Sequence, residues 1–134
     1  TEPGNIVTNA RGGYSYHNRN IGVQKAKDAG MSHVFFLDAD MVFEPDYIQR
    51  LIDHDLDIVG ANYNEKKLPL MSTIKINGEP VLMIDVPDKP FKVDRLGSGF
   101  MLVKVSVFDK LDSPYFNAPM GRTIDDFQTE DYYF

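Results

Sequence analysis

Asp38 and Asp40 stand one residue apart, directly after the apolar run Val34-Phe35-Phe36-Leu37. Two carboxylates held this close repel each other unless a proton or a cation lies between them. Carboxylate oxygens are hard donors, and the pair suits Mg²⁺ or Mn²⁺, ions that also take phosphate oxygens into their coordination sphere. The segment is therefore a candidate metal–phosphate site. The plainer alternative is that one Asp caps the following helix while the other is solvated. A calcium loop starting at Asp38 is excluded, because Phe43 falls where the turn needs Gly and Gln49 falls where a bidentate Glu is required.

Such acids need a scaffold that holds them at a strand end. The run Val34 to Leu37 is short, apolar and bounded by polar residues, as in a strand buried in a parallel sheet. In open α/β sheets, ligands bind beyond the carboxyl ends of the strands, which is where Asp38 and Asp40 emerge. Before it, residues 15–29 read as a helix with Ile21, Ala26 and Ala29 available for one face and Gly30 placed to stop it. After it, Pro45 opens a second helix in which Tyr47, Ile48, Leu51 and Ile52 recur at helical spacing. Asp57 to Ala61 reads as another short strand. Helix, strand, helix, strand in this order predicts right-handed βαβ construction around a parallel sheet.

The middle of the chain changes character. Ser72 to Ile76 and Val81 to Ile84 flank Asn77-Gly78, a strong signal for a hairpin with a two-residue turn. Pro80 restricts its strand to a sheet edge or an irregular position. A loop through Pro87 and Pro90 leads to Arg95-Leu96-Gly97-Ser98-Gly99 and the apolar strand Phe100 to Val103, and Ser106 is placed to cap a short helix carrying Val107, Phe108 and Leu111. Loops are expected at Thr1 to Asn5 and at Arg11 to Gly13. No repeat or linker divides the chain, so residues 1–134 read as one domain. Only Ile6 and Val7 are available for an opening strand, and an acidic-aromatic cluster runs into the C-terminus, so both ends read as cut.

Composition narrows the partners. The 134 residues are enough for one domain with a real core. A hydrophobic fraction of 43% and a charged fraction of 25% are those of an ordinary globular protein. The net charge of −6 argues against nucleic acid or an anionic membrane as the main partner. Without cysteine there is neither a disulfide nor a thiolate metal site. No secretory signal and no apolar run of membrane-spanning length is present, which makes a soluble, cytoplasmic protein the default expectation.

Taken together, the motifs resemble those of GT-A-fold glycosyltransferases, the family 2-like group especially. His33-Val34-Phe35-Phe36-Leu37-Asp38-Ala39-Asp40-Met41 is similar to the core Asp-x-Asp motif, with Arg19-Asn20-Ile21-Gly22 upstream. Leu96 to Val103 and Glu130-Asp131-Tyr132-Tyr133-Phe134 follow in the expected order, so the likeness spans about residues 18 to 134. It implies a Rossmann-like, mixed and mostly parallel sheet flanked by helices, with the hairpin as an insertion. It also implies a metal-dependent transfer of sugar from a nucleotide-diphosphate donor to an acceptor hydroxyl.

The resemblance assigns roles residue by residue. Asp38 would lie near the donor ribose and the metal's water shell, and Asp40 would coordinate the Mn²⁺ or Mg²⁺ that bridges the diphosphate. Arg19 matches an arginine facing the donor phosphates or base, and read without the family it is a solvated helix arginine. Gly97-Ser98-Gly99 would let the backbone approach the donor sugar or acceptor closely, although a plain tight turn before a strand has the same composition. Asp131 matches the general base of inverting members, with Glu130 beside it raising the pair's proton affinity. Outside the family both acids suit the first turn of a helix. The pattern departs from the family where a first strand is expected before residue 1. His17, His33 and His54 do not fall where some members carry a metal-binding histidine.

Two rivals remain. A haloacid dehalogenase-like phosphotransferase also places Asp-x-Asp after an apolar strand, the first acid attacking phosphate, but it wants Thr where this chain has Val42. A non-catalytic or truncated α/β module that binds a nucleotide or sugar without turnover accounts for the ragged ends.

Overall fold

The computed structural model describes residue 4 and residues 15–64 and 68–116. The elements are α1 (Ser15–Asp28), β1 (His33–Leu37), α2 (Tyr47–Asp53), β2 (Ile58–Gly60), β3 (Met71–Ile76), β4 (Glu79–Leu82), a 3-10 turn (Met83–Asp85), β5 (Phe100–Lys104) and α3 (Val105–Phe108). The loops expected at Arg11 to Gly13 and the cluster at Glu130 to Phe134 lie outside the described residues, as does most of the opening loop. The chain forms two compact units, one drawn from residues 1–34 and 103–134 and the other from residues 35–102.

The strands form a three-stranded sheet in the order β1-β5-β2 and a two-stranded sheet of β3 and β4. The Asp38 N–H donates to the Gly99 carbonyl at 2.9 Å and the Val105 N–H donates to the Ser32 carbonyl at 2.9 Å. Partners thus run in opposite directions along the two strands, and β5 is antiparallel to β1. This corrects the expected fold class. Among the described residues the sheets are antiparallel and there are three α-helices, and the mostly parallel, Rossmann-like sheet of the GT-A kind is not what these residues build. The reason is physical: alternating strand and helix signals are local, whereas β1 and β2 are separated by β5, a strand that arrives some 40 residues later in the chain. Nothing in local periodicity encodes that insertion.

In the unit of residues 35–102, Leu51, Phe100 and Leu102 are buried together, and Phe35, Met41, Phe43, Ile48, Val59, Ala61 and Tyr63 pack against them. Phe100 receives two edge-on rings, Phe35 at 5.0 Å and Phe43 at 4.9 Å between centroids, the geometry that aromatic quadrupoles favour. β5 is the central strand and Phe100 to Val103 are all buried, so both of its faces are covered. In α2, Leu51 and Ile48 supply the packed face expected of the helix, whereas Tyr47 and Ile52 are exposed.

The β3–β4 hairpin forms as expected. Asn77 and Gly78 both adopt positive φ, 52° and 78°, which is what a type I′ turn requires, and Ile76 pairs with Glu79 across it. Pro80 lies on β4, whose one partner in its sheet is β3, consistent with its missing N–H.

In the unit of residues 1–34 and 103–134, α1 ends in a Schellman motif. Gly30 takes φ 66°, its N–H donates to Lys27 O at 3.0 Å, and the Met31 N–H reaches back to Ala26 O at 2.9 Å. The buried residue of α1 is Val23, while Ile21 is 41% exposed and Ala29 is exposed, so the expected face is displaced. Asn20 explains the displacement. Its Nδ2 donates to Phe116 O at 2.7 Å and its Oδ1 accepts the Phe116 N–H at 3.0 Å, so a polar side chain holds the inward side of the helix. Phe108 and Phe116 are fully buried and lie 6.3 Å apart, and Lys27 bridges Asp109 (2.8 Å) and the Tyr115 hydroxyl (3.0 Å). Ser106 does not cap α3; Lys104 precedes the helix in an extended conformation without a side-chain cap. Among the described residues no helix is long and apolar enough to cross a membrane.

Candidate functional site

Asp38 is the first residue beyond β1. Its N–H is tied to Gly99 O, and its carbonyl accepts the Met41 N–H at 3.2 Å, which closes a tight turn over residues 38–41. Asp is favoured at the first position of such a turn. Asp38 and Asp40 are both exposed, and so is Val42, at 98%. Neither acid caps α2, which begins at Tyr47 after Asp46.

Gly97, Ser98 and Gly99 are buried immediately before β5, with Ser98 only 2% exposed. Protein groups fill the space beside both glycines. A Cβ on Gly99 would come within 2.6 Å of Met41 Cε, 2.7 Å of Asp38 Oδ2 and 2.8 Å of the Tyr63 hydroxyl. A Cβ on Gly97 would strike the Tyr63 hydroxyl and approach Tyr63 Cζ to 2.9 Å and Thr73 Cβ to 3.1 Å. Gly99 demands glycine because Met41, the Asp38 carboxylate and the Tyr63 phenol close in on it, and Gly97 because Tyr63 and Thr73 do, not because of unusual φ angles.

Tyr63 is the residue that sequence reasoning missed. Its hydroxyl accepts the Gly99 N–H at 2.9 Å. Its carbonyl accepts both the Thr73 N–H at 3.0 Å and Thr73 Oγ1 at 3.2 Å, which fastens it to β3. Asn64 bridges to Ser72 next door, and the Ser72 hydroxyl bonds Asn62 Oδ1. The available signal was position: Tyr63 lies just beyond the carboxyl end of β2, as Asp38 does beyond β1. On its other side β3 holds the approach to the glycine turn, with Lys75 N–H donating to Arg95 O at 3.2 Å and Asp94 N–H to Lys75 O at 2.9 Å.

Of the residues singled out from sequence, Asp38, Gly97, Ser98 and Gly99 are brought together, and Asp40 shares the turn of Asp38. Arg19 lies half-buried in α1, in the other compact unit. Asp131 and Glu130 lie outside the described residues. His17 sits in α1, His33 opens β1 with Nδ1 2.9 Å from Ser32 Oγ, and His54 follows α2.

Among the described residues no three His, Cys, Asp or Glu side chains gather into a metal-holding group. The donor set at the turn is two exposed carboxylates. That set fits Mg²⁺ or Mn²⁺, which commonly bind through one or two carboxylates and complete their sphere with water and substrate phosphate.

No family model matches the chain, and no curated protein matches it. Among solved structures it is similar to the crystal structure of A197 from STIV, with a TM-score of 0.59 and 20% identity over 92% of this chain. The match covers 59% of that protein, so this chain spans about three-fifths of its length. At this identity the likeness is one of fold alone.

Proposed function

We propose that this chain is a metal-dependent glycosyltransferase that acts in the cytoplasm, moving a sugar from a nucleotide-diphosphate donor to an acceptor hydroxyl. The observation that carries the reading is the meeting of Asp38 with the Gly97-Ser98-Gly99 turn: two separated motifs converge on one exposed carboxylate. Asp40 and Asp38 supply the oxygen donors for Mn²⁺ or Mg²⁺. When bound, the ion neutralises charge that develops on the departing diphosphate. The acceptor hydroxyl gives its proton to a base, the role that the resemblance gives to Asp131. The bond between the sugar's anomeric carbon and the diphosphate oxygen breaks with its electron pair going to the diphosphate, and the acceptor oxygen forms the new bond.

The test is calorimetric titration with nucleoside diphosphates, with and without Mn²⁺, on the native chain and on Asp40→Asn. Binding is expected only with Mn²⁺, and Asp40→Asn is expected to abolish it in a chain that still unfolds cooperatively. Absence of binding by the native chain in both conditions overturns the reading.

A further inference from the structure

We propose that Tyr63 is a positioning residue that sets the placement of Asp38 through the glycine turn. The inference rests on the proposed role of Asp38 and adds a residue that no sequence motif marks. Three hydrogen bonds form a relay. The Tyr63 hydroxyl accepts from Gly99 N–H at 2.9 Å, the carbonyl of the same Gly99 accepts from Asp38 N–H at 2.9 Å, and Asp38 O accepts from Met41 N–H at 3.2 Å. A single residue, Gly99, therefore separates the phenol from the backbone that carries the carboxylate.

The relay has a fixed end and a working end. Tyr63 is anchored by its ring, which packs against the cluster of Leu51, Phe100 and Leu102, and by its carbonyl, which takes two bonds from Thr73. Asp38, at the other end, is exposed. Gly97 and Gly99 make the relay possible, because any side chain at either position would occupy the space that the hydroxyl uses. Residues that orient a ligating carboxylate act on affinity without touching the ion. The three elements involved are the exit of β1, the exit of β2 and the entrance of β5, so one phenol fixes all three against each other.

Tyr63→Phe tests this. It keeps the ring's packing and removes only the acceptor for Gly99 N–H. Two readouts are made: amide hydrogen exchange residue by residue, without metal, and Mn²⁺ affinity by paramagnetic resonance of the free ion. The expected result is exchange at Gly99 and Asp38 faster by about tenfold, with Leu102 and Ile74 unchanged, and Mn²⁺ affinity lower by roughly 10- to 100-fold. Gly97→Ala, which displaces the phenol by collision, is expected to give the same local pattern and serves if Tyr63→Phe does not fold. Unchanged exchange at Asp38 in a folded variant overturns the inference whatever the metal does. So does exchange that quickens equally across Leu102 and Ile74, because Tyr63 is then a packing residue alone. A native chain that takes up no Mn²⁺ overturns the metal reading, and the exchange comparison still decides the relay.

Discussion

Gly99→Ala separates the fold from the site. The added methyl would lie 2.6 Å from Met41 Cε, 2.7 Å from Asp38 Oδ2 and 2.8 Å from the Tyr63 hydroxyl, whereas ordinary contact begins at 3.4 Å. Three groups must each retreat by more than about half an ångström, and they surround the methyl together. The Met41 methyl can swing away. The Asp38 carboxylate is exposed and can rotate, but doing so takes it out of its native place. The phenol is restrained, because it bonds the N–H of the very residue that is changed. Overpacking of this kind costs about 1–3 kcal/mol, which for a chain of this size lowers the unfolding midpoint by roughly 3–10 °C.

Gly60→Ala is the matched control. Its methyl would meet Leu96 Cδ2 at 2.7 Å and the Phe100 carbonyl oxygen at 2.8 Å. That carbonyl accepts the Ala61 N–H at 3.1 Å and cannot move without opening the sheet. The control should therefore lose at least as much stability, about 3 kcal/mol, while leaving Asp38 alone. The assay is urea denaturation paired with Mn²⁺ affinity of the folded fraction. Gly99→Ala should lose affinity by tenfold or more, on the order expected for a disturbed supporting shell, and Gly60→Ala should keep it. A Gly99→Ala protein with native midpoint and native affinity refutes the reasoning, as does equal loss of affinity in the control.

Asn20→Ala removes both bonds to the Phe116 backbone and one to Tyr16 O at 3.0 Å, and denaturation should show a loss of about 1–3 kcal/mol. Lys27 is held protonated above the ordinary lysine value of 10.5, first by its bond to Asp109 and then by its bond to the Tyr115 hydroxyl. A raised folded value means that its contribution is complete below about pH 10 and is lost as pH rises through the raised value. Stability measured from pH 8 to 12 should therefore show a step in the native protein that Lys27→Met lacks, and identical curves would remove the ion pair from the account.

Sequence logic reached the elements whose signals are local. The stop of α1 at Gly30 and the turn at Asn77-Gly78 each follow from backbone conformations that few residues tolerate, and the observed φ values meet that demand. Asp38 at the end of β1 was legible for a similar reason, since an apolar run that ends in acids marks a strand exit. What escaped depends on distant partners. Asn20 reads as one more polar helix residue until Phe116, 96 residues on, presents its backbone to it. Ile21 reads as core until that clasp occupies the inward side. Tyr63 reads as an ordinary aromatic residue, because its role requires β3 behind it and Gly99 in front, neither of which local periodicity can bring there.

The direction of β5 decides whether the site exists. In the parallel sheet that the helix–strand alternation suggested, the entrance of β5 would lie beside the entrance of β1, near His33. The five residues of β1 would then separate Gly97-Ser98-Gly99 from Asp38, a distance of about 16 Å at the rise of an extended strand. Antiparallel pairing reverses this: the start of β5 meets the end of β1, and Asp38 N–H bonds Gly99 O. The glycines are then needed at the one place where a strand entrance, a strand exit and the Tyr63 phenol crowd together. A buried turn holds the backbone while the two carboxylates stay exposed. The overturned sheet direction is thus what turns two motifs 60 residues apart into one candidate site.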